Sequence, residues 1–185
     1  MMIILEDTRQ QANKHDAKHK WFAEHGIEVM RTKLLCGDYT LPTDQSVCID
    51  TKKDFQEIIG NLTGSQHKRF REEAERAQSA GLKLIFLIEN DGGEVKKGTN
   101  IYNPVITRLE DVHKWKNPRL FIMYRGKQKY PKATKGITLQ KIMRTFSKRY
   151  GCEFRFCHSK DSAKLITEIL TQKDGDPGGF TKNQE

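Results

Sequence analysis

The segment that most constrains the fold lies at residues 82–88, where six of seven positions are apolar and only Lys83 is polar. A run of this length and composition predicts a β-strand that is covered on both faces. Other strand-like segments stand at residues 1–5, 27–31 and 153–157, and helical patterns separate them. Strands that alternate with helices indicate an α/β fold, with a central sheet flanked by helices.

The other elements follow from hydrophobic periodicity and from turn residues. Helices are predicted at residues 10–25, 55–62, 67–80, 103–115, 138–150 and 159–172, and a further short strand at 119–124. Residues 38–41 and 46–51 are expected to form a hairpin, and residues 91–100 and 125–135 surface loops. We expect one domain with its core at residues 1–135 and a helix–strand–helix extension at 136–172, followed by a disordered tail at 173–185.

The charge of the chain favours a polyanionic partner. Its 33 basic and 24 acidic residues give a formal net charge of +9 and a pI near 9.4, a balance typical of proteins that bind nucleic acid. No apolar run approaches the ~20 residues that span a bilayer. Glu6 and Asp7 follow the apolar start at once, unlike a signal peptide. We therefore expect a cytoplasmic protein, nucleoid-associated if bacterial or phage, without membrane contact.

Two acidic residues and a lysine form the strongest candidate for a catalytic site. Asp38 stands on one arm of the predicted hairpin, and Asp50 with Lys52 on the other. Pairing of the arms would bring both carboxylates to one edge, where hard oxygen ligands suit Mg²⁺. Lys52 lies two residues after Asp50 and shares its face of the strand. Its ammonium would orient water or stabilise charge on a phosphate, and the Thr51 carbonyl would be a further ligand.

Other patterns that can carry chemistry fit less well. Cys152 and Cys157, next to His158, are five apart on a predicted strand and so point to opposite faces. His15 and His19 have the spacing of a zinc-protease helix, but the glutamate base and a third ligand are lacking. The sequence also contains no glycine-rich Gly-x-x-x-x-Gly-Lys loop that would hold ATP.

Several motifs, in order along the chain, resemble the XPF-type structure-specific endonuclease domain family of the PD-(D/E)XK superfamily. That family shows Gly-Asp, a variable gap and then Glu-Arg-Lys, which Gly37-Asp38 and Asp50-Thr51-Lys52 match. Further matches are Asp7-Thr8-Arg9-Gln10, Asn61-Leu62, Arg69-Phe70 and Leu87-Ile88-Glu89. The resemblance implies a restriction-endonuclease-like core with a central mixed sheet.

The chain departs from the family pattern at three points, and a fourth position is ambiguous. Asp50 replaces a glutamate, Thr51 an arginine, and Glu73 a glutamine that often stands one turn after the helix arginine. The trailing acidic position is ambiguous, since Asp54 comes early and Glu57 late for the family spacing.

The resemblance also implies a function and further site residues. It implies a DNA endonuclease that depends on Mg²⁺ or Mn²⁺ and cuts branched or flapped DNA. Asp7 would lie beside the metal, either as an outer ligand or as a residue that orients a ligand. Residues expected to contact DNA, from the resemblance or from basic patches near a helix start and in the 125–135 loop, are Arg9, Gln66, Lys68, Arg69, Lys127 and Lys129. The alternatives are a non-catalytic DNA-binding subunit and a Holliday-junction resolvase, and a homodimer is possible.

Overall fold

The structure is a computed structural model, and it describes residues 2–9 and 15–172 of the 185-residue chain. The beginning of the helix expected at residue 10 and the tail expected at 173–185 lie outside the described residues.

A mixed sheet forms the centre of the molecule, as expected, and it has six strands in the described part of the chain. Its strands are β1 (Met2–Asp7), β2 (Ile27–Thr32), β3 (Tyr39–Thr40), β4 (Val47–Lys52), β5 (Lys83–Glu89) and β10 (Glu153–Cys157). Across the sheet they run in the order β10-β5-β4-β3-β1-β2. The short strand β3 is antiparallel to both β1 and β4, whereas the pairs β1–β2, β4–β5 and β5–β10 are parallel.

Within residues 2–9 and 15–172, five α-helices cover the two faces of this sheet. They are α1 (Asp16–Glu24), α2 (Phe55–Thr63), α3 (His67–Ser79), α4 (Gly136–Tyr150) and α5 (Ser162–Thr171). Helices α2, α3 and α4 pack on one face, and α1 and α5 pack on the other. None of the helices in the described part of the chain is long and apolar enough to cross a membrane.

Strand β5 explains why both faces are covered, because alternate residues enter separate hydrophobic cores. Phe86 packs on the first face against Phe70 of α3, with ring centroids 4.3 Å apart. Ile85 and Leu87 point to the opposite core, which α1 and α5 close. Each such side chain contributes ~1.5–3 kcal/mol when fully buried, so the apolar run stabilises the layered fold from the centre of the sheet.

Two predictions for the segment between β5 and α4 are wrong. Instead of a helix at 103–115, the structure has strand β7 (Tyr102–Asn103), a loop and a 3₁₀ helix at Leu109–Lys114. Pro104 disfavours helical geometry at the residue before it, and Asn90 Oδ1 accepts the amide of Ile106 at 2.6 Å.

The strand predicted at 119–124 is also mostly absent. Its first half is a 3₁₀ helix at Pro118–Phe121, which begins at a proline and is capped by Asn117. Only Met123–Tyr124 is extended, and this strand, β8, pairs with β9 (Lys127–Gln128) in a small hairpin. Strand β6 (Gly93–Glu94) pairs with β7 in a second small hairpin.

Candidate active site

The site is built where β3 and β4 lie side by side, next to the end of β1. The Asp38 amide donates to the Ile49 carbonyl at 2.7 Å, and the Asp7 amide donates to the Asp38 carbonyl at 2.9 Å. Gly37 makes this close approach possible: its φ is +71°, and a Cβ there would lie 2.9 Å from the Ile49 carbonyl oxygen. The backbone therefore holds Asp38 against β4, as the predicted hairpin requires.

Asp50 and Lys52 project to the same side of β4 and form a buried ion pair. Lys52 Nζ lies 2.8 Å from both carboxylate oxygens of Asp50, and also 5.5 Å from the ring centre of Phe70. Burial raises the pKa of Asp50 to about 6; the Lys52 ammonium opposes the rise, and the charges of Asp38 and Glu57 add to it. A further cation in the site would therefore stabilise the ionised form of Asp50 and lower its pKa.

Thr51 orients Asp38 through its amide and its hydroxyl. The Thr51 amide and Oγ1 donate to Asp38 Oδ2 at 2.9 and 2.6 Å. The pattern that this segment resembles has an arginine at this position. The threonine here donates hydrogen bonds to a neighbouring carboxylate instead. The Asp38 side chain lines the same cleft as Asp50.

Asp7 and Arg9 form an ion pair with each other. The sequence predicted Asp7 beside the metal and Arg9 as a DNA contact. Arg9 Nε lies 3.0 and 2.8 Å from the two Asp7 carboxylate oxygens, and the guanidinium also donates to the Leu34 carbonyl at 2.9 Å. The hydrogen bonds to Asp7 raise the pKa of Arg9. Both side chains line the cleft.

One cleft of about 670 Å³ collects most of the predicted site. Its lining residues come from the ends of β1 and β4, from the turn before β3 and from α2 and α3: Asp7, Arg9, Gly37, Asp38, Asp50, Lys52, Gln56, Glu57, Gly60, Asn61, Gln66, Arg69, Phe70, Glu73 and Arg76. All three residues predicted as catalytic, Asp38, Asp50 and Lys52, are among them.

Two further acidic residues face the cleft. Glu73 Oε1 accepts the Gly37 amide at 2.9 Å, and burial together with the Asp50 charge raises the Glu73 pKa. The sequence marked Glu73 only as a departure, although it lies one helical turn after Arg69 and so shares its face. Glu57 also lines the cleft, whereas Asp54 caps α2 by accepting the Glu57 amide at 2.7 Å. This separates the two candidates for the trailing acidic position.

A buried polar network behind Asp38 has no counterpart in the sequence predictions. Glu6 Oε1 lies 3.0 Å from His15 Nδ1 and 2.8 Å from His19 Nε2, and it accepts the Tyr39 hydroxyl at 3.1 Å. The two histidines with zinc-protease spacing therefore converge on a carboxylate. His15 Nε2 lies 3.5 Å from Thr51 Oγ1, which links the network to Asp38. Alternation along β1 places Glu6 and Asp7 on opposite faces of the sheet.

The predicted DNA contacts fall into two groups. Gln66 and Arg69, at the start of α3, line the cleft. Lys68 is exposed and pairs loosely with Glu72, while Lys127 and Lys129 lie outside the cleft on the β8–β9 hairpin. Glu89, the acidic end of the matched Leu-Ile-Glu segment, contacts Lys18 and Ser162 and does not line the cleft.

The donor set fits a hard divalent cation held with few protein ligands. Within the described residues, no three histidine, cysteine, aspartate or glutamate side chains stand in metal-binding geometry. Mg²⁺, however, is commonly bound by one or two carboxylates together with waters and substrate phosphate oxygens. Asp38 and Asp50 are such carboxylates, and the burial of Asp50 near the Asp38 charge favours a cation in the cleft.

Comparison with known proteins identifies the family and the fold of the chain. The sequence pattern of the ERCC4 domain matches residues 7–169. A structure described as XPF from Aeropyrum pernix superposes with a TM-score of 0.53 at 15% identity, covering 91% of this chain and 63% of its own. A second, described as XPF from Aeropyrum pernix in complex with DNA, gives 0.55 at 17% identity, covering 92% and 64%. Curated protein sequences give no match.

The sequence pattern shows the family, and the superpositions show the fold. The chain spans less than two thirds of the length of the two archaeal chains. At this level of identity the superposition shows that the fold is the same, while the sequence pattern covers most of the chain. The protein belongs to the ERCC4 domain family of XPF-type nuclease domains.

Proposed function

We propose that this chain is a metal-dependent endonuclease that hydrolyses phosphodiester bonds in DNA. The observation that carries the proposal is the meeting of Asp38, Asp50 and Lys52 in one cleft. The DNA-bound archaeal structure with the same fold supports DNA as the substrate class. A preference for branched or flapped DNA rests on the family resemblance.

Each residue of the cleft would have a distinct part in the reaction. Asp38 and Asp50 would hold Mg²⁺ or Mn²⁺, with Thr51 fixing the orientation of Asp38. When bound, the cation would supply Lewis-acid polarisation of the phosphoryl oxygen and activation of water for attack on phosphorus. Lys52, already held beside Asp50, would donate a hydrogen bond to the attacking water or to the charged phosphate oxygen.

The start of α3 would position the DNA backbone. Gln66 and Arg69 line the cleft at the start of α3, and the first turn of a helix is a favourable place for a phosphate. Arg69 would form charge-assisted hydrogen bonds to a phosphate next to the scissile bond. Lys68 would add a weaker, unspecific attraction because its side chain is largely solvated.

A cleavage assay tests the proposal directly. Labelled flap, fork, four-way junction and linear duplex DNA are incubated with the protein in Mg²⁺ or in EDTA. Asp50→Asn and Lys52→Met should lower the rate by at least ~100-fold, because each removes transition-state stabilisation of several kcal/mol. The matched control is Asp44→Asn in the exposed turn of the same hairpin, which should cleave normally.

The outcomes separate the alternatives. Binding without metal-dependent cleavage of any substrate would identify a non-catalytic DNA-binding subunit. Paired, symmetric cuts restricted to the four-way junction, by a protein that sediments as a dimer, would identify a junction resolvase. Cleavage that Asp50→Asn leaves unchanged would contradict the assignment of the site.

A further inference from the structure

The positive charge of this chain is concentrated in one continuous segment. Residues 112–152 contain twelve of the 33 basic residues and none of the 24 acidic ones. The remaining 21 basic residues are outnumbered by those 24 acidic residues, so the rest of the chain is slightly acidic. All the residues that line the candidate cleft, its carboxylates included, belong to this acidic part. A polyanion would therefore be attracted mainly by the 112–152 segment.

Part of this segment projects as an exposed hairpin, which we name the basic arm (residues 118–133). It carries five basic residues and no acidic one. Strands β8 and β9 are joined by Arg125 and Gly126, which both have positive φ, as in type I′ hairpin turns. Every residue from 122 to 132 is exposed.

The arm exposes large apolar side chains that an ordinary solvated loop would not need. Met123 is 55%, Tyr124 57% and Tyr130 38% exposed. Each tyrosine ring is accompanied by cations: Arg125 Cζ lies 5.2 Å from the ring centre of Tyr124, and Lys129 Nζ lies 5.3 Å from that of Tyr130. Aromatic rings flanked by cations are the arrangement that stacks on unpaired bases while the cations meet the phosphates.

The arm is tied to the wall of the candidate cleft through one buried residue. Asn117, which is 1% exposed, donates to the Thr134 carbonyl at 2.9 Å and so closes the base of the arm. Its Oδ1 accepts a hydrogen bond from Gln56 Nε2 at 2.6 Å, and Gln56 lines the cleft. The base of the arm therefore lies next to the cleft, at a position set by Asn117.

We propose that the basic arm binds an unpaired DNA strand beside the cleft, by stacking of bases on Tyr124 and Tyr130 and binding of phosphates by Lys127 and Lys129. This inference deepens the proposed function and rests on it for the identity of the polyanion. It gives the chain a means to prefer DNA with a single-stranded branch over continuous duplex, because bases in a duplex offer no free face to the tyrosines.

Binding measurements in EDTA test the arm without relying on cleavage. Fluorescence anisotropy compares a labelled single strand of about 15 nucleotides with a duplex of the same length. The variant Tyr124→Ala/Tyr130→Ala should bind the single strand roughly tenfold or more weakly and the duplex within about twofold of the original protein. Tyr124→Phe/Tyr130→Phe should retain binding, because the rings remain. Met30→Ala, an exposed apolar truncation on the edge strand β2, is the control.

Two further measurements locate the bound strand. Lys127→Ala/Lys129→Ala should reduce the slope of log affinity against log salt by about 0.7 for each phosphate that the variant no longer neutralises on a single strand. A single strand that carries 5-iodouracil should crosslink under ultraviolet light to Tyr124 or Tyr130, as identified by mass spectrometry. If crosslinks form only at residues outside the basic arm, the proposal is contradicted.

The results also separate this proposal from its competitors. Equal loss of single-strand and duplex affinity in the alanine variant, or equal loss in the phenylalanine variant, would overturn base stacking. A change in sedimentation mass without a change in single-strand affinity would show that the arm contacts a second copy of the chain. Single-strand binding that depends on the arm, in a protein that cleaves no DNA, would support the arm proposal and refute the endonuclease. Cleavage by a protein whose arm variants bind the single strand normally would support the endonuclease and refute the arm proposal.

Discussion

Asp50 combines deep burial with like charges nearby, and this makes its ionisation dependent on its neighbours. Its pKa is raised to about 6 by burial and by Asp38 and Glu57, against the effect of Lys52. Because the folded state holds the proton more tightly than the unfolded chain, Asp50 lowers the free energy of unfolding as pH rises from 3.8 to about 6. The same carboxylate is the proposed metal ligand, so metal binding should offset this cost.

The first prediction concerns metal affinity and pH. In the absence of DNA, Mn²⁺ affinity measured by calorimetry should fall below pH of about 6, because a proton competes for Asp50. In Lys52→Met the fall should begin at a higher pH, since the ammonium that lowers the Asp50 pKa is gone. Lys20→Met, on the exposed face of α1, should leave the midpoint unchanged. A midpoint near 4 in both proteins would refute the electrostatic description.

The second prediction concerns acid stability and Glu6. Burial alone would raise the Glu6 pKa, but hydrogen bonds from His15, His19 and Tyr39 lower it to about 2. Its contribution to stability is therefore present above pH 4.5 and is lost as pH falls toward about 2. The free energy of unfolding by urea should drop by up to ~3 kcal/mol over that range.

A matched pair of variants isolates the Glu6 contribution. Glu6→Gln should be less stable at pH 7 and should lose less stability on acidification. Glu24→Gln, an exposed position of α1, should follow the original curve. Parallel curves for Glu6→Gln and the original protein would mean that the network does not control acid stability.

At the scale of elements, the turn before β3 holds Asp38 against strand β4, which carries Asp50. Gly37 has a left-handed backbone, and a side chain there would collide with the Ile49 carbonyl. Its amide also donates to Glu73 of α3, so the turn joins the sheet to the helix that lines the cleft. The position of Asp38 relative to Asp50 thus depends on a residue that has no side chain.

The third prediction tests this turn. Gly37→Ala should lower the free energy of unfolding by about 2–3 kcal/mol and reduce cleavage, because strain and collision both move Asp38. Gly26→Ala is the matched control: Gly26 has a similar φ of +68°, but a Cβ there meets nothing within 4 Å. It should cost only about 1 kcal/mol and keep full cleavage. Equal effects of the two substitutions would exclude a specific role of the close approach.

At the scale of the whole molecule, residues 136–172 complete the sheet and both cores. Strand β10 pairs along β5, and the α4 residue Phe146 packs against Phe70 and Phe154. Helix α5 contributes Ile166 and Leu170 to the opposite core. Each buried side chain of this kind is worth ~1.5–3 kcal/mol, and the net stability of a domain is only ~5–15 kcal/mol.

The fourth prediction follows from this layering. A chain that ends at residue 135 should show no cooperative unfolding by circular dichroism. Strand β5 would lose its neighbour β10, and Phe86 would lose its contact with Phe146 of α4. A chain that ends at residue 172 removes only the tail that the sequence predicts to be disordered, and it should unfold as the full chain does. Cooperative unfolding of the shorter chain would show that residues 1–135 form a domain alone.

Local chemistry determined much of this protein from sequence. The apolar run of β5 predicted a strand buried on both faces, and the Gly-Asp and Asp-x-Lys patterns predicted that Asp38, Asp50 and Lys52 would meet. The structure contains the strand and places the three side chains in one cleft, because both features depend on short-range periodicity and on one hairpin, which neighbouring residues control. Prediction failed in the segment between β5 and α4, where Pro104, Pro118 and side-chain caps override helical and strand patterns.

Only the tertiary structure decided which charged residues act together. Arg9 is paired with Asp7, Glu73 lies within the cleft, and Glu6 gathers two histidines, although nothing in the spacing of these residues requires it. The base of the basic arm is likewise placed beside the cleft by a hydrogen bond between Asn117 and Gln56, which are 61 positions apart. The sequence by itself determined the elements and the chemistry on each strand. The packing of two helical layers on one sheet determined the electrostatic partners, because pKa values and ion pairs depend on distances that only the folded chain sets.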